Sequence, residues 1–213
     1  TAINMQSVYV TDLVGIAILV IIMVTRGWSL PGRKLESRLM MALLAVSMFN
    51  CVADIYVFQC DGMPGRGYRA ILMVGDTYLY LYNLIVGIGI IYPILLHIDR
   101  KTKGLHMILF WVLSVVEMVL LIVNLFEPIV FEIDENNVYH RGDYYILFVV
   151  LGFVLVFYGY TYYMIAKLRN PSLRYFPVME FLAPVVVGNI VQMKIYGISL
   201  LPISFAVAFA AIT

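Results

Sequence analysis

The chain has 213 residues, 63% of them hydrophobic and only 13% charged, with a formal net charge of +1. Soluble domains carry roughly 45–50% apolar and 25% charged residues, so this composition excludes an ordinary water-soluble domain and points to a polytopic membrane protein. The balanced charge and the lack of a basic run exclude a surface that tracks nucleic acid, and no such partner is expected.

Seven apolar segments follow one another. They run roughly from Val8 to Val24, Ser37 to Phe58, Tyr68 to Leu96, His106 to Phe126, Tyr144 to Ala166, Phe176 to Gln192, and from Ile198 onward. A hydrocarbon core of about 30 Å takes about 20 helical residues to cross. The expected fold is therefore all-α: a single bundle over residues 1–213 of seven transmembrane helices in a lipid bilayer, with short loops that make sequence neighbours packing neighbours. The chain starts at Thr1 and stops inside ISFAVAFAAIT, so a truncated last helix and a missing C-terminal continuation are expected.

Orientation follows from the lysines and arginines, which concentrate on the cytoplasmic side. The odd loops hold Arg26, Arg33, Lys34, Arg38, Arg100, Lys101, Lys103, Lys167, Arg169 and Arg174; the even loops hold Arg66, Arg69, Arg141 and Lys194. Ten against four places the N-terminus outside and the C-terminus in the cytoplasm. The outer fourth loop, EPIVFEIDENNVYHRGD, is acidic, and its alternating VFEID run suits either a short hairpin over the bundle mouth or a solvated loop. Pro93, Pro184 and Pro202 are expected to bend their helices. Gly152 and Gly159, two turns apart, suit close helix contact. Cys51 reads as a small buried residue and Cys60 as a free thiol near the outer surface. On one helix the two are too far apart for a disulfide.

The third segment carries Asp76, Tyr80, Asn83 and Gly87 at i, i+4, i+7 and i+11, one stripe of a helix. An aspartate in a lipid-spanning helix is costly unless it faces protein or water, so the stripe should face inward. At about 1.5 Å per residue, Asp12, Asp54 and Asp76 fall at a similar depth in the outer part of the membrane. Asn50 shares a face with Asp54. Glu117 lies near mid-membrane with Asn124 two turns on, Glu180 lies toward the cytoplasm, and Asn189 and Gln192 sit at the outer end of the sixth helix. Together Asp12, Asn50, Asp54, Asp76, Tyr80, Asn83, Glu117 and Asn189 outline a cavity open to the outside. Acids with aromatics there suit a small extracellular cation or amine, through charge pairing and cation–π contact. The alternative is that Arg66, Arg69 and Lys194 fold down onto the aspartates and the network only ties helices together. A close carboxylate cluster also raises the prospect of pH sensing.

Other chemistries lack their residues. A retinal Schiff base wants a lysine in the last helix, and none follows Lys194. The three histidines do not share a depth, and no metal or catalytic motif is present.

The second helix and its outer loop read NCVADIYVFQCDGMPG, with Asn50, Asp54, Asp61, Gly62, Pro64 and Gly65 at N-x3-D-x6-D-G-x-P-G; the third continues YLYLYNLIVGIG. With SVYVTD near the start and YGISLLPISFAVAFA at the end, the chain resembles the N-terminal multi-helix membrane region of GGDEF-domain diguanylate cyclases of Clostridia-type bacteria. The resemblance implies a multi-pass protein of the bacterial plasma membrane, a homodimer, and a cytoplasmic domain after Thr213 that makes cyclic di-GMP from GTP with a divalent metal. No GGDEF motif occurs here, so the fragment itself is expected to hold no cofactor and to be no enzyme. The expected function is a sensory input domain that binds a small extracellular ligand and controls that output domain. The competing expectation is a small transporter in which Asp76, Glu117 and Glu180 mark a path across the membrane.

Overall fold

A computed structural model of the chain describes residues 3–25, 34–99, 104–195 and 198–212. The loop cations Arg26, Arg33, Arg100, Lys101 and Lys103, used above for orientation, lie outside the described residues, as does the side chain of Lys34.

The described chain is almost wholly helical. The elements are α1 (Met5–Thr25), α2 (Lys34–Cys60), α3 (Arg66–Asp99), α4 (Leu105–Asn124), β1 (Phe131–Ile133), β2 (Tyr139–Arg141), α5 (Tyr145–Arg169), α6 (Val178–Lys194) and α7 (Leu201–Ile212). Each apolar segment becomes one helix. Five of the seven, α1 to α5, are long and apolar enough to cross a membrane. The 17 residues of α6 and the 12 of α7 are shorter than the roughly 20 that a span requires.

The polarity of the helices is inverted relative to a soluble bundle. On α1 the buried set is Val8, Asp12, Gly15, Leu19 and Ile22, one helical face, and it includes a carboxylate. Its exposed residues include Val10, Leu13, Ile21 and Val24, all aliphatic. The same holds on α2, where Ser47, Asn50, Cys51 and Asp54 are buried while Phe49, Val52 and Tyr56 are exposed. Apolar exteriors around polar interiors are what a lipid solvent selects.

The chain divides into two compact units, Thr1–Leu79 with Pro177–Thr213, and Tyr80–Phe176. In the first unit α7 packs against α1, α2 and α6. Gly15 permits this: a Cβ there would lie 3.2 Å from the Cys51 Sγ and 3.6 Å from the Ile203 Cα. Gly188 of α6 sits so close to Ser204 of α7 that any side chain would overlap it. The start of α7 is capped from α6, with the Gln192 side-chain oxygen accepting the N–H groups of Leu200 (2.8 Å) and Leu201 (2.9 Å). Pro202 is therefore not the kink expected from sequence. It is the second residue of α7, where the missing N–H has no helical partner to lose. Pro93 and Pro184 do lie inside their helices.

In the second unit Gly159 of α5 lies directly against Ile91 of α3, and Gly87 of α3 against Leu155 of α5. The neighbour of Gly152 is instead the Glu117 carboxylate on α4. The fourth loop forms the hairpin, pairing Phe131 with Arg141, Glu132 with His140 and Ile133 with Tyr139. Phe131 and Ile133 are buried and Glu132 is exposed, the alternation the sequence displayed. The turn closes through the Asn137 N–H to the Asp134 carbonyl (3.1 Å) and the Asp134 N–H to the Val138 carbonyl (3.0 Å). Asn137 takes a left-handed backbone (φ 61°), the conformation that Asn tolerates better than most residues.

Candidate functional site

Asp12, Asn50, Asp54 and Asp76 are all buried within the first unit. Asp12 on α1 has no exposed surface and lies within hydrogen-bonding reach of Asp54 on α2. Asp54 also accepts a hydrogen bond from the Ser199 hydroxyl, in the link just before α7. The Cys51 thiol lies in the field of both carboxyls, one turn before Asp54. Asp76 on α3 is within electrostatic range of Asp54 and Asp61. A further tie joins α3 to α2, the Tyr78 hydroxyl donating to the Val46 carbonyl at 2.6 Å.

What the acids lack is partners. Neither carboxyl oxygen of Asp12 has a hydrogen-bond donor, and Oδ2 of Asp76 has none. The expected alternative, cations folding down onto the acids, does not occur: Arg66, Arg69 and Lys194 are exposed, and none of the three aspartates forms an ion pair among the described residues. Buried polar atoms are nearly always satisfied, so a wholly buried carboxyl without a donor, beside a second carboxyl, marks this pair as the candidate site. Two bare carboxylates about 4 Å apart would repel by roughly 4 kcal/mol at an effective dielectric of 20.

The site is also closed where sequence suggested an open cavity. The start of α7 fills the space that Gly15 leaves, which brings Ser199 onto Asp54 and shuts the cluster from solvent. An apolar groove of about 510 Å³ between α2 and α3, lined by Ala53, Tyr56, Val57 and Ile71, has no polar anchor.

Tyr80, Asn83 and Glu117 belong to the second unit. Tyr80 is already fully engaged. Its ring stacks on Phe131 of β1 (5.3 Å, 2° between planes), meets Phe148 edge-on (5.3 Å), and its hydroxyl is 2.5 Å from that of Tyr139 on β2. Tyr80 thus holds the hairpin. Asn83 is half-buried. Glu117 is buried beside Gly152 with Oε1 unpartnered. Asn124, on the same buried face of α4 as Glu117, accepts the backbone N–H groups of Val130 (2.6 Å) and Phe131 (3.0 Å). Asn189 is half-buried on α6, while its neighbour Gln192 is the α7 cap. Cys60, expected near the surface, is a free but buried thiol.

Sequence reasoning missed Ser199 and undervalued Cys51. Cys51 could have been found, since it shares a helical face with Ser47 and Asp54. Ser199 is 145 residues from its partner, and no periodicity reports such a pairing.

Set against known proteins, the chain matches no family model, no curated protein and no solved structure.

Proposed function

We propose that this chain is the membrane-embedded sensory input domain of a multi-pass bacterial plasma-membrane protein, with seven membrane segments, N-terminus outside and C-terminus in the cytoplasm. It binds a small cationic ligand from the outside at Asp12 and Asp54, with Asn50 and Asp76 nearby, and passes the change to a cytoplasmic output domain. By resemblance that output is a dimeric diguanylate cyclase, a domain that would use GTP and a divalent metal. The observation that carries the reading is Asp12, wholly buried and without a donor, facing an Asp54 whose other partner, Ser199, lies in the link two residues before α7. Occupancy of the pair therefore bears directly on the helix that precedes the C-terminus. Such a sensor needs a ligand that favours one of two bundle arrangements over the other.

The test replaces Asp54 and Asp76 by Asn in the protein expressed from its whole coding region. Cyclic di-GMP is then measured as external pH is varied and, separately, as external cations and amines are varied at fixed pH. A response lost in folded Asp54→Asn protein is the expected outcome; a response unchanged in both variants overturns the reading. Buried Glu117, with its unpartnered Oε1, is the observation that favours a transporter instead. Uptake by protein reconstituted in liposomes would select that second reading.

A further inference from the structure

We propose that the species held between Asp12 and Asp54 is a proton, shared by the two carboxyls in a closed site, so that the ligand class of this sensor is the hydronium of the surrounding water. Four observations converge. The two carboxyl groups are within hydrogen-bonding reach of one another, as expected where α1 and α2 pack closely with Gly15 against Cys51, one turn along from each acid. Asp12 has no exposed surface and no donor to either oxygen. Ser199 already donates to Asp54, so the residual negative charge has a place to rest. Among the described residues no group of three or more His, Cys, Asp or Glu side chains converges to hold a metal ion.

One proton makes this arrangement self-consistent. With Asp12 protonated, its O–H donates to the Asp54 carboxylate, and the pair becomes a single charge-assisted hydrogen bond. This is the general solution for two acids that cannot both ionise at contact distance. Release is simple in balance: Asp12 gives up one proton to water, leaving two carboxylates and one additional negative charge in the site. Those carboxylates repel, and the repulsion works against the packing of α1 on α2, the Ser199–Asp54 bond and the contact of Gly15 with the α7 backbone at Ile203.

The titratable surroundings are few. From α2 the pair is faced by Cys51, and from α3 by Asp76. Apart from Asp12, α1 contributes only Tyr9, which is exposed, and α7 has no titratable side chain. On α6, Glu180 and Lys194 are both exposed. No described cation competes with the proton.

This deepens the sensory reading and rests on it for the link to output, whereas the proton itself is measured independently. The full chain in lipid nanodiscs is titrated with pH while infrared difference spectra record the carbonyl stretch of protonated carboxylic acids. Wild type should show a band that disappears as pH rises and shifts in deuterated water. Asp12→Asn and Asp54→Asn should each lose it, because an Asn amide supplies the missing donor. Asp76→Asn should keep it, and circular dichroism checks folding of each variant. A spectrum identical in wild type and both pair variants overturns the proposal, as does a band that responds to sodium at constant pH. A titrating band with cyclic di-GMP output indifferent to pH supports the proton site and removes only the sensory role.

Discussion

Asn124 allows a quantitative test of how the hairpin between α4 and α5 is held. Its side-chain oxygen is the acceptor for two main-chain donors, the N–H groups of Val130 and Phe131, at 2.6 and 3.0 Å. Both residues are almost wholly buried, at 0% and 1% exposure, so water cannot replace the acceptor without opening the loop. Asn124→Leu keeps the volume approximately and strands both donors. At about 1–3 kcal/mol for each unsatisfied buried group, the loss is about 2–6 kcal/mol. Because every 1.4 kcal/mol is tenfold, amide exchange in the hairpin should accelerate by roughly 30-fold to 10⁴-fold. The effect should be local, since the helices close their own main-chain bonds and the hairpin can open by itself. Asn124→Asp is the informative companion. It retains the acceptor, and the amide nitrogen it removes has no partner, so it should lose far less protection than Leu. Hydrogen exchange read by mass spectrometry on the peptide over residues 128–142 is the assay. Exchange in Asn124→Leu within about threefold of wild type, or an Asp variant as labile as the Leu variant, would refute the anchoring argument.

Two further outcomes concern the same hairpin. Asn137 has φ 61°, so Asn137→Val should lower stability by about 1–2 kcal/mol more than Asn137→Gly, the left-handed penalty for an ordinary side chain; equal melting temperatures for the two variants would contradict this. Asp134 accepts N–H bonds from Val138 (2.9 Å) and Asn136 (2.8 Å) and lies 3.0 Å from His140. The Val138 N–H first, and then His140, hold its carboxyl below the usual value of 3.8. A depressed folded-state value means that the turn's contribution is complete above the unfolded value of about 3.9 and is lost as pH falls further. Exchange at Asn136 and Val138, corrected for its intrinsic pH dependence, should therefore rise below that range in wild type but not in Asp134→Asn.

The helices were legible because a lipid solvent writes them as long apolar runs, and the hairpin because VFEI alternates. Pro202 was misread because the seventh segment was counted from Ile198. The Gln192 cap places the helix start at Leu201, and a cap supplied from another helix leaves no local trace. Tyr80 was assigned to the ligand site by its spacing from Asp76. Spacing fixes which side of a helix a residue occupies, but not which later element covers it, and here β1, β2 and α5 cover it. Asp12 and Asp54, which the depth argument put at a similar level on different helices, lie within reach of one another. What it could not supply was Ser199, or the closure of the site by α7, since both depend on a contact made across most of the chain.

Asn124 and Asp12 also separate two uses of a buried polar residue in the same solvent. Both are at most 3% exposed, and both must overcome the cost of leaving water. The Asn124 oxygen recovers that cost by accepting two main-chain N–H groups, so its presence is explained by architecture alone. Asp12 recovers nothing from donors in the protein. The helices around it are already joined by Gly15 against Cys51 and Ile203, and by Ser199 on Asp54. A residue chosen for packing at position 12 would be apolar, as Val8 and Leu19 are on the same face. A carboxyl without a donor in the protein, placed against a second carboxyl, is not explained by packing, and that is the feature on which the proposed proton site rests.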